Sequence, residues 1–596
     1  MLQSVPPPKY VGASAEEYAK DLAIFLAKYA WVFQGKLVEF ILGGTWDRVP
    51  EEWRDALLGL SYEQMHHLTF DVAALPHSLR SFIEQAQSLS MPKGEHQKGF
   101  EQTPLQPLNE LYMRLMMSPK KIHEVERLSA TVADVCRQNH LRHVVDIGSG
   151  EGYLSTTLHF LCGLHVVAVE ANESNNATAA KRTQKIARAR EHEARKKAKS
   201  ETGWRQCIPC DEPSSSAGVN VTSDDPSTSS SSCAVTADSA PVSMASCPAP
   251  TSISTLTGTP TGPGTPALEP NPAPAPTPAD ASAASVSMNV PSLISGFKSA
   301  ADATVEEMKD WHNNIVHVPC FLKEDASPSD LLQRVHATCN TDQAAQETPP
   351  LLCLAGLHAC GMLSVTMFKL WMKSPQIHSV VSVGCCYYKM TQSPDESSES
   401  PGSGELCTGP FPLSHAVQQL HFNIGKGGLK LACEGIVTWM SKSRSEFDYM
   451  VKHTFYRCVA QDALHRLFPE DYSKLYIKGG ISRGYCDSLM SYVRRAISRL
   501  RHRDDDNAEA KRSFRCISDD ELRATFGALD PQSEQKLVCF LLLRALIAQV
   551  LESYIVIDRY LYIREQAQPS DQIQVRPIFA ESVSPRNLCI IATKGC

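Results

Sequence analysis

The period of the apolar positions changes several times along this chain, and the changes mark out its elements. His143 to Ile147 is a short β-branched run, the pattern of a buried parallel strand. It breaks into Gly148-Ser149-Gly150-Glu151-Gly152, after which Leu154, Leu158 and Leu161 fall at helical spacing. His165 to Val169 predicts a second strand running into Glu170, and Ser174 to Lys199 a helix whose distal half is dense in Lys and Arg. Strands three to five are expected at Ile315–Cys320, Leu351–Leu357 and His378–Gly384, with a crossover helix from Met362 to Met372. Alternating strands and helices predict an α/β fold around a parallel doubly wound sheet with right-handed crossovers. Gln572 to Phe579 and Asn587 to Thr593 read as two closing strands joined around Ser584-Pro585.

The remaining periodic stretches are helical. Leu22, Phe25, Leu26, Tyr29 and Phe33 recur at helical intervals, so 1–110 is expected to be an N-terminal helical region. Its aromatics, Trp46 and Trp53 among them, are expected in a core. The main domain is expected over 115–596, opened by a helix with Ser118 as N-cap and Pro119 at its first position. Two interruptions are expected in it. From 200 to 291 the chain is rich in Ser, Thr, Pro and Ala, too poor in large apolar groups to fold. A second flexible loop spans 391–404, and 405–566 is a mostly helical insertion before the last strands. Closing a long insert adds little, about 0.6 kcal/mol for each doubling of loop length.

Charge and cysteine content narrow the setting. The formal net charge of −7 provides no global attraction for nucleic acid, so an RNA surface would have to be a local patch. The 20 cysteines follow no paired framework, and Met1 to Tyr10 has three prolines and no apolar core. Free thiols suit a reducing compartment, and a cytoplasmic or nuclear protein is expected. The longest apolar stretch, Leu537 to Ile557, is cut by Arg544, Gln549 and Glu552, which predicts a buried helix and no membrane span.

The glycine turn carries the clearest chemistry. Glycine tolerates positive φ and lets the backbone approach a ligand, and the following helix start adds unpaired N–H groups. An acid ending the second strand, here Glu170, is placed to accept both hydroxyls of a ribose. A dinucleotide turn wants G-x-G-x-x-G, whereas Gly148, Gly150 and Gly152 give G-x-G-x-G, with Asp146 two residues ahead. This spacing resembles motif I of the class I (Rossmann-like) S-adenosylmethionine (SAM)-dependent methyltransferases. That resemblance implies SAM as cofactor, with Asp146 accepting from its amino-acid end. The two closing strands are what that fold adds to a Rossmann-like sheet.

Further motifs narrow the match. Leu357-His358-Ala359-Cys360-Gly361 leaves the fourth strand, and Val383-Gly384-Cys385-Cys386-Tyr387-Tyr388 leaves the fifth. With SPKKIHEV from Ser118, Asp558-Arg559-Tyr560-Leu561-Tyr562 and the closing SPRNLCIIATK, they resemble the methyltransferase-like protein twenty-five family. The resemblance implies a SAM-dependent methyltransferase. The strand-end pair is also similar to tRNA 2′-O-methyltransferases, which carry Cys-Cys-His-His where this chain has Cys-Cys-Tyr-Tyr. Base N-methyltransferases have Asn/Asp-Pro-Pro-Tyr/Phe after the fourth strand; Gly356-Leu357-His358 stands here instead.

Methyl transfer from a sulfonium is an in-line displacement, so the protein has mainly to align two reactants and take a proton. His358 is the candidate base, because imidazole titrates near neutrality, or else a histidine fixed by a strand-end carbonyl. Tyr387 is the second catalytic candidate, stacking a planar base or capping the core. Cys360, Cys385 and Cys386 read as nucleophiles or as small buried residues. A zinc site from His358 with these cysteines is a further reading, but their spacing is not that of a finger or ribbon, and no metal is expected. Lys120 and Lys121 form a solvated face or sit over the cofactor or a substrate phosphate. RNA is favoured over protein as methyl acceptor; the other reading is a SAM-binding regulatory or interaction module without transfer.

Overall fold

The computed structural model describes residues 7–94, 111–114, 116–205, 315–323, 325–339, 349–391, 411–503, 517–527 and 529–595. The expected insert at 200–291 lies outside them from residue 206 onward, as does the 391–404 loop after Thr391. Chain contacts separate residues 202–295 from the rest, which forms one compact unit.

That unit is built on β1 (His143–Ile147), β2 (His165–Glu170), β3 (Ile315–Pro319), β4 (Leu352–Cys360) and β5 (Ile377–Cys385). A small pair, β6 (Leu475–Ile477) and β7 (Leu500–His502), is followed by β8 (Gln572–Pro577) and β9 (Leu588–Thr593). Seven strands form one sheet in the order β3-β2-β1-β4-β5-β9-β8. β1 to β5 pair in parallel, and β9 runs antiparallel between β5 and β8. The class I, Rossmann-like expectation therefore holds, including the closing antiparallel pair.

Both faces of the sheet are covered, which is why its strands are apolar throughout instead of alternating. Val144 and Val166 enter a core shared with Val125, Leu128 and Leu158 from the helices Pro119–Gln138 and Tyr153–Phe160. Val145 and Val167 face the other core, shared with Phe368 and Trp371 of the crossover helix Leu363–Lys373 and with the long helix Ser533–Arg564. Leu22, Leu26 and Phe82 of the N-terminal helices belong to that same core. The stretch read as a buried helix is one: Leu537, Leu543, Ile547, Val550, Leu551 and Ile555 are all buried.

Several ionisable groups on the long helix are buried with partners, Glu552, Asp558 and Arg559 among them. Glu552 pairs with Lys93 from the N-terminal region, and Lys93 also donates to the Pro585 carbonyl at 2.8 Å. Asp558 accepts from the Leu413 and Ser414 amides at 2.9–3.0 Å and from the Ser414 hydroxyl at 2.8 Å. Burial raises its carboxyl to about 6 against those bonds. Arg559, 1% exposed, donates to the Gly361 carbonyl at 3.3 Å. From Arg494 the chain, polar in composition, forms the end of helix Leu489–Ser498 and then strand β7. Its arginines alternate with Val493, Ala496 and Leu500, which are buried, so polar composition hid a real apolar face.

Candidate active site at the carboxyl ends of the strands

The glycine turn closes directly on β2. The amides of Gly148 and Ser149 both donate to the Val169 carbonyl, at 2.8 and 3.1 Å. The Gly150 amide donates to the Glu170 carboxylate at 2.9 Å, and the other carboxylate oxygen accepts from the Asn172 amide at 2.9 Å. Gly148, Gly150 and Gly152 have φ of +70°, +57° and +74°, a region that glycine enters without strain. A Cβ on Gly152 would come within 3.0 Å of the Ala179 Cβ, so the turn also packs tightly against the helix after β2.

Asp146, 1% exposed at the end of β1, accepts a hydrogen bond from the Ser155 hydroxyl at 2.5 Å. Burial raises its carboxyl to about 7; the Ser155 hydrogen bonds act downward and the Glu170 charge upward. The Ser149 hydroxyl is buried in the turn and has no hydrogen-bond partner. The five expected cofactor positions, Asp146, Gly148, Gly150, Gly152 and Glu170, thus form one cradle. An orphaned buried hydroxyl and a charged acceptor at the turn fit a polar ligand such as SAM.

The second cluster sits where β4 and β5 end. Pairing is regular from Cys353–Ser379 to Gly356–Ser382 and resumes at Ala359–Gly384, so Leu357 and His358 together face Val383 alone. Such a bulge re-aims a side chain, and His358 turns outward with 43% of its side chain exposed. Its Nε2 lies 2.6 Å from the Lys121 ammonium and 3.3 Å from Glu124. Glu124 is buried, and it also meets Lys121 at 3.2 Å and accepts from the Ser584 hydroxyl at 2.8 Å. Burial alone would raise its carboxyl; His358, Lys121 and Ser584 outweigh that and hold it down at about 2. Lys121 is therefore part of a side-chain network and not merely a solvated face, while Glu124 went unnoticed in the sequence. The signal was available: Lys121 and Glu124 stand three apart on a helix, hence on one face.

Tyr387 must be corrected. It is 1% exposed, with its hydroxyl 3.3 Å from both the Gly384 carbonyl and Glu552, and the Arg559 guanidinium lies 5.0 Å from its ring centre. A ring enclosed by the long helix cannot stack on a substrate; it supports the end of β5. The neighbouring Tyr388 is 45% exposed. The Asp558-Arg559 motif likewise serves this region from behind, since Arg559 bonds Gly361 and a Cβ on Gly384 would run into its guanidinium.

Cys360 and Cys385 face each other in register, with their sulfurs 3.2 Å apart. The bond between them draws the Cys360 thiol down to about 6 against burial, with Cys386, Lys389 and His358 adding to the effect. The same bond holds Cys385 far above the usual thiol range. Cys386 adopts φ +48°, unusual for a non-glycine residue.

Comparison with known proteins agrees with this fold. Residues 120–393 match the family model described as a methyltransferase domain. The chain is 22% identical over 494 residues to probable methyltransferase-like protein 25 of Mus musculus, covering 80% of this chain and 75% of the relative. It is also 22% identical over 510 residues to the Homo sapiens protein of that name, with the same coverage. No solved structure matches it.

Proposed function

We propose that this chain, whose residues 120–393 match a methyltransferase-domain family model, transfers a methyl group from SAM to RNA. The observation that carries the cofactor assignment is the Glu170 carboxylate held 2.9 Å from the Gly150 amide, which joins the ribose acceptor to the glycine turn. In this reading Asp146 and the turn hold the amino-acid end of SAM, and Glu170 its ribose hydroxyls. When bound, SAM supplies a methyl group on a positively charged sulfur.

His358 acts on the acceptor. With Lys121 donating to it, Nε2 is a proton acceptor; once it carries a proton, the same nitrogen has Glu124 at 3.3 Å to stabilise the imidazolium. One ring nitrogen thus has a partner in each protonation state. Preference for RNA is supported by a local patch on a chain that is acidic overall. Between Lys474 and Arg503 there are eight Lys and Arg residues against one acid, Asp487. The β6–β7 pair carries Tyr476 opposite Arg501, and Arg495 lies 5.0 Å from the exposed Tyr485 ring. Cations interleaved with aromatic rings suit phosphates and unstacked bases.

The test is incubation of purified protein and tritiated SAM with RNA and protein fractions from cells lacking this protein. Label entering RNA, and lost in the Gly148→Val variant, is expected. Label entering protein alone would overturn the RNA assignment, and label entering neither would overturn methyl transfer.

A further inference from the structure

We propose that Cys360, Cys385 and Cys386 form a thiolate site for one zinc ion at the carboxyl ends of β4 and β5. Zinc bound by thiolates has Zn–S distances of about 2.3 Å, which in tetrahedral geometry separates the sulfurs by about 3.8 Å. The three sulfurs here all lie within 4.8 Å of one another, and the Cys360–Cys385 pair is at 3.2 Å. The required value lies between the closest pair and that upper bound, so shifts of about an ångström or less in side-chain position would complete the triangle.

The surroundings fit a metal site better than simple packing. Among the described residues no other group of three cysteine, histidine or acidic side chains converges in this way. Cys385 is buried, while Cys360 and Cys386 are partly exposed, which leaves one side of the group open to solvent. The backbone around the sulfurs is held in place. Cys386 is fixed in the left-handed region, and the Gly361 amide donates to the Cys385 carbonyl at 3.2 Å. Three thiolates and a divalent cation leave one net negative charge. The buried Arg559 guanidinium, against Gly384 and the Gly361 carbonyl, stands beside both strand ends to offset it.

The spacing matches no finger or ribbon, because two of the ligands are adjacent and the third is 25 residues away on a neighbouring strand. Three protein ligands leave a fourth position, which takes water from the exposed side. Binding releases the thiol protons to solvent, and no oxidant or reductant is required. The site goes beyond methyl transfer, and its occupancy can be measured without it.

The experiment is elemental analysis of the full-length protein, purified under reducing conditions and equilibrated with zinc, then dialysed. About one zinc per chain is expected, falling at least tenfold in Cys360→Ser and Cys386→Ser and unchanged in Cys589→Ala. Cobalt(II) added to the metal-stripped wild type should give thiolate-to-metal charge-transfer absorption and the intense visible bands of tetrahedral cobalt, even if a variant fails to fold. Less than a tenth of a zinc per chain with no cobalt–thiolate absorption would overturn the proposal. So would metal retained in both serine variants, or an isolated Cys360–Cys385 disulfide that persists under reductant.

Discussion

The Lys121 ammonium and the His358 Nε2 lie 2.6 Å apart although 237 residues separate them in the chain. The helix ahead of β1 therefore reaches over to the end of β4, and Glu124 on that helix completes the group. A base acting on the methyl acceptor has this as its natural place, because a ligand on the glycine turn faces the ends of the neighbouring strands. His358→Ala should lower turnover by about 100-fold, within the range for losing a general base, with SAM affinity nearly unchanged. Glu124→Gln should move the acidic limb of the pH–rate profile, a change that mere packing at this position would not produce. Tritium transfer at saturating SAM checks both; wild-type rates in His358→Ala would place the base elsewhere.

Asp146 gives a pH dependence of fixed sign. Burial raises its carboxyl to about 7, so near neutrality the unliganded protein holds it partly protonated. Only the ionised form can pair with the ammonium of SAM. Affinity should therefore fall as pH drops through 7, reaching about tenfold weaker binding at pH 6 than at pH 8. Asp146→Asn should flatten this dependence and bind weakly throughout. Calorimetry at the two pH values measures it; equal affinity in the wild type would show that Asp146 does not receive that ammonium.

The strands, the glycine turn and the crossover helices were legible in sequence because each is a local pattern with one physical cause. Gly148 and Gly152 announce positive φ, and a β-branched run ending in Asp146 or Glu170 announces a buried parallel strand. Groups assembled across long distances were not legible. Tyr387 reads like Tyr388 in sequence, yet the helix Ser533–Arg564 encloses the first and leaves the second exposed. The roles of Glu124 and Arg559 likewise depend on which elements become neighbours, whereas the meeting of the three cysteines followed from placing β4 beside β5.

Lys93 and Glu552 form a buried ion pair tying the N-terminal region to the long helix. Removing one partner leaves the other charge buried and uncompensated, at a cost of about 3–5 kcal/mol. Lys93→Met should accordingly destabilise the protein strongly. The double variant Lys93→Met/Glu552→Leu should recover part of that loss. Chemical denaturation of the cycle decides it, and additive losses would show that the two charges are not coupled.

Deleting Ser214 to Ala284 should leave the cooperative melt and SAM binding intact. The expectation rests on its Ser, Thr, Pro and Ala composition and its position in sequence between β2 with its helix and β3. Loss of the melting transition on deletion would show that the segment contributes to the core.

The assignment of SAM to the glycine turn is tested most directly by isothermal titration calorimetry of the purified protein with SAM, S-adenosylhomocysteine and NAD. The wild type should bind the first two and not the third. Glu170→Ala should weaken SAM at least tenfold, since a hydrogen bond to a charged acceptor contributes about 1.5–3 kcal/mol. Gly148→Val should bind more weakly still, because φ of +70° is strained for a β-branched residue. Undiminished SAM binding in both variants, or preference of the wild type for NAD, would contradict the assignment.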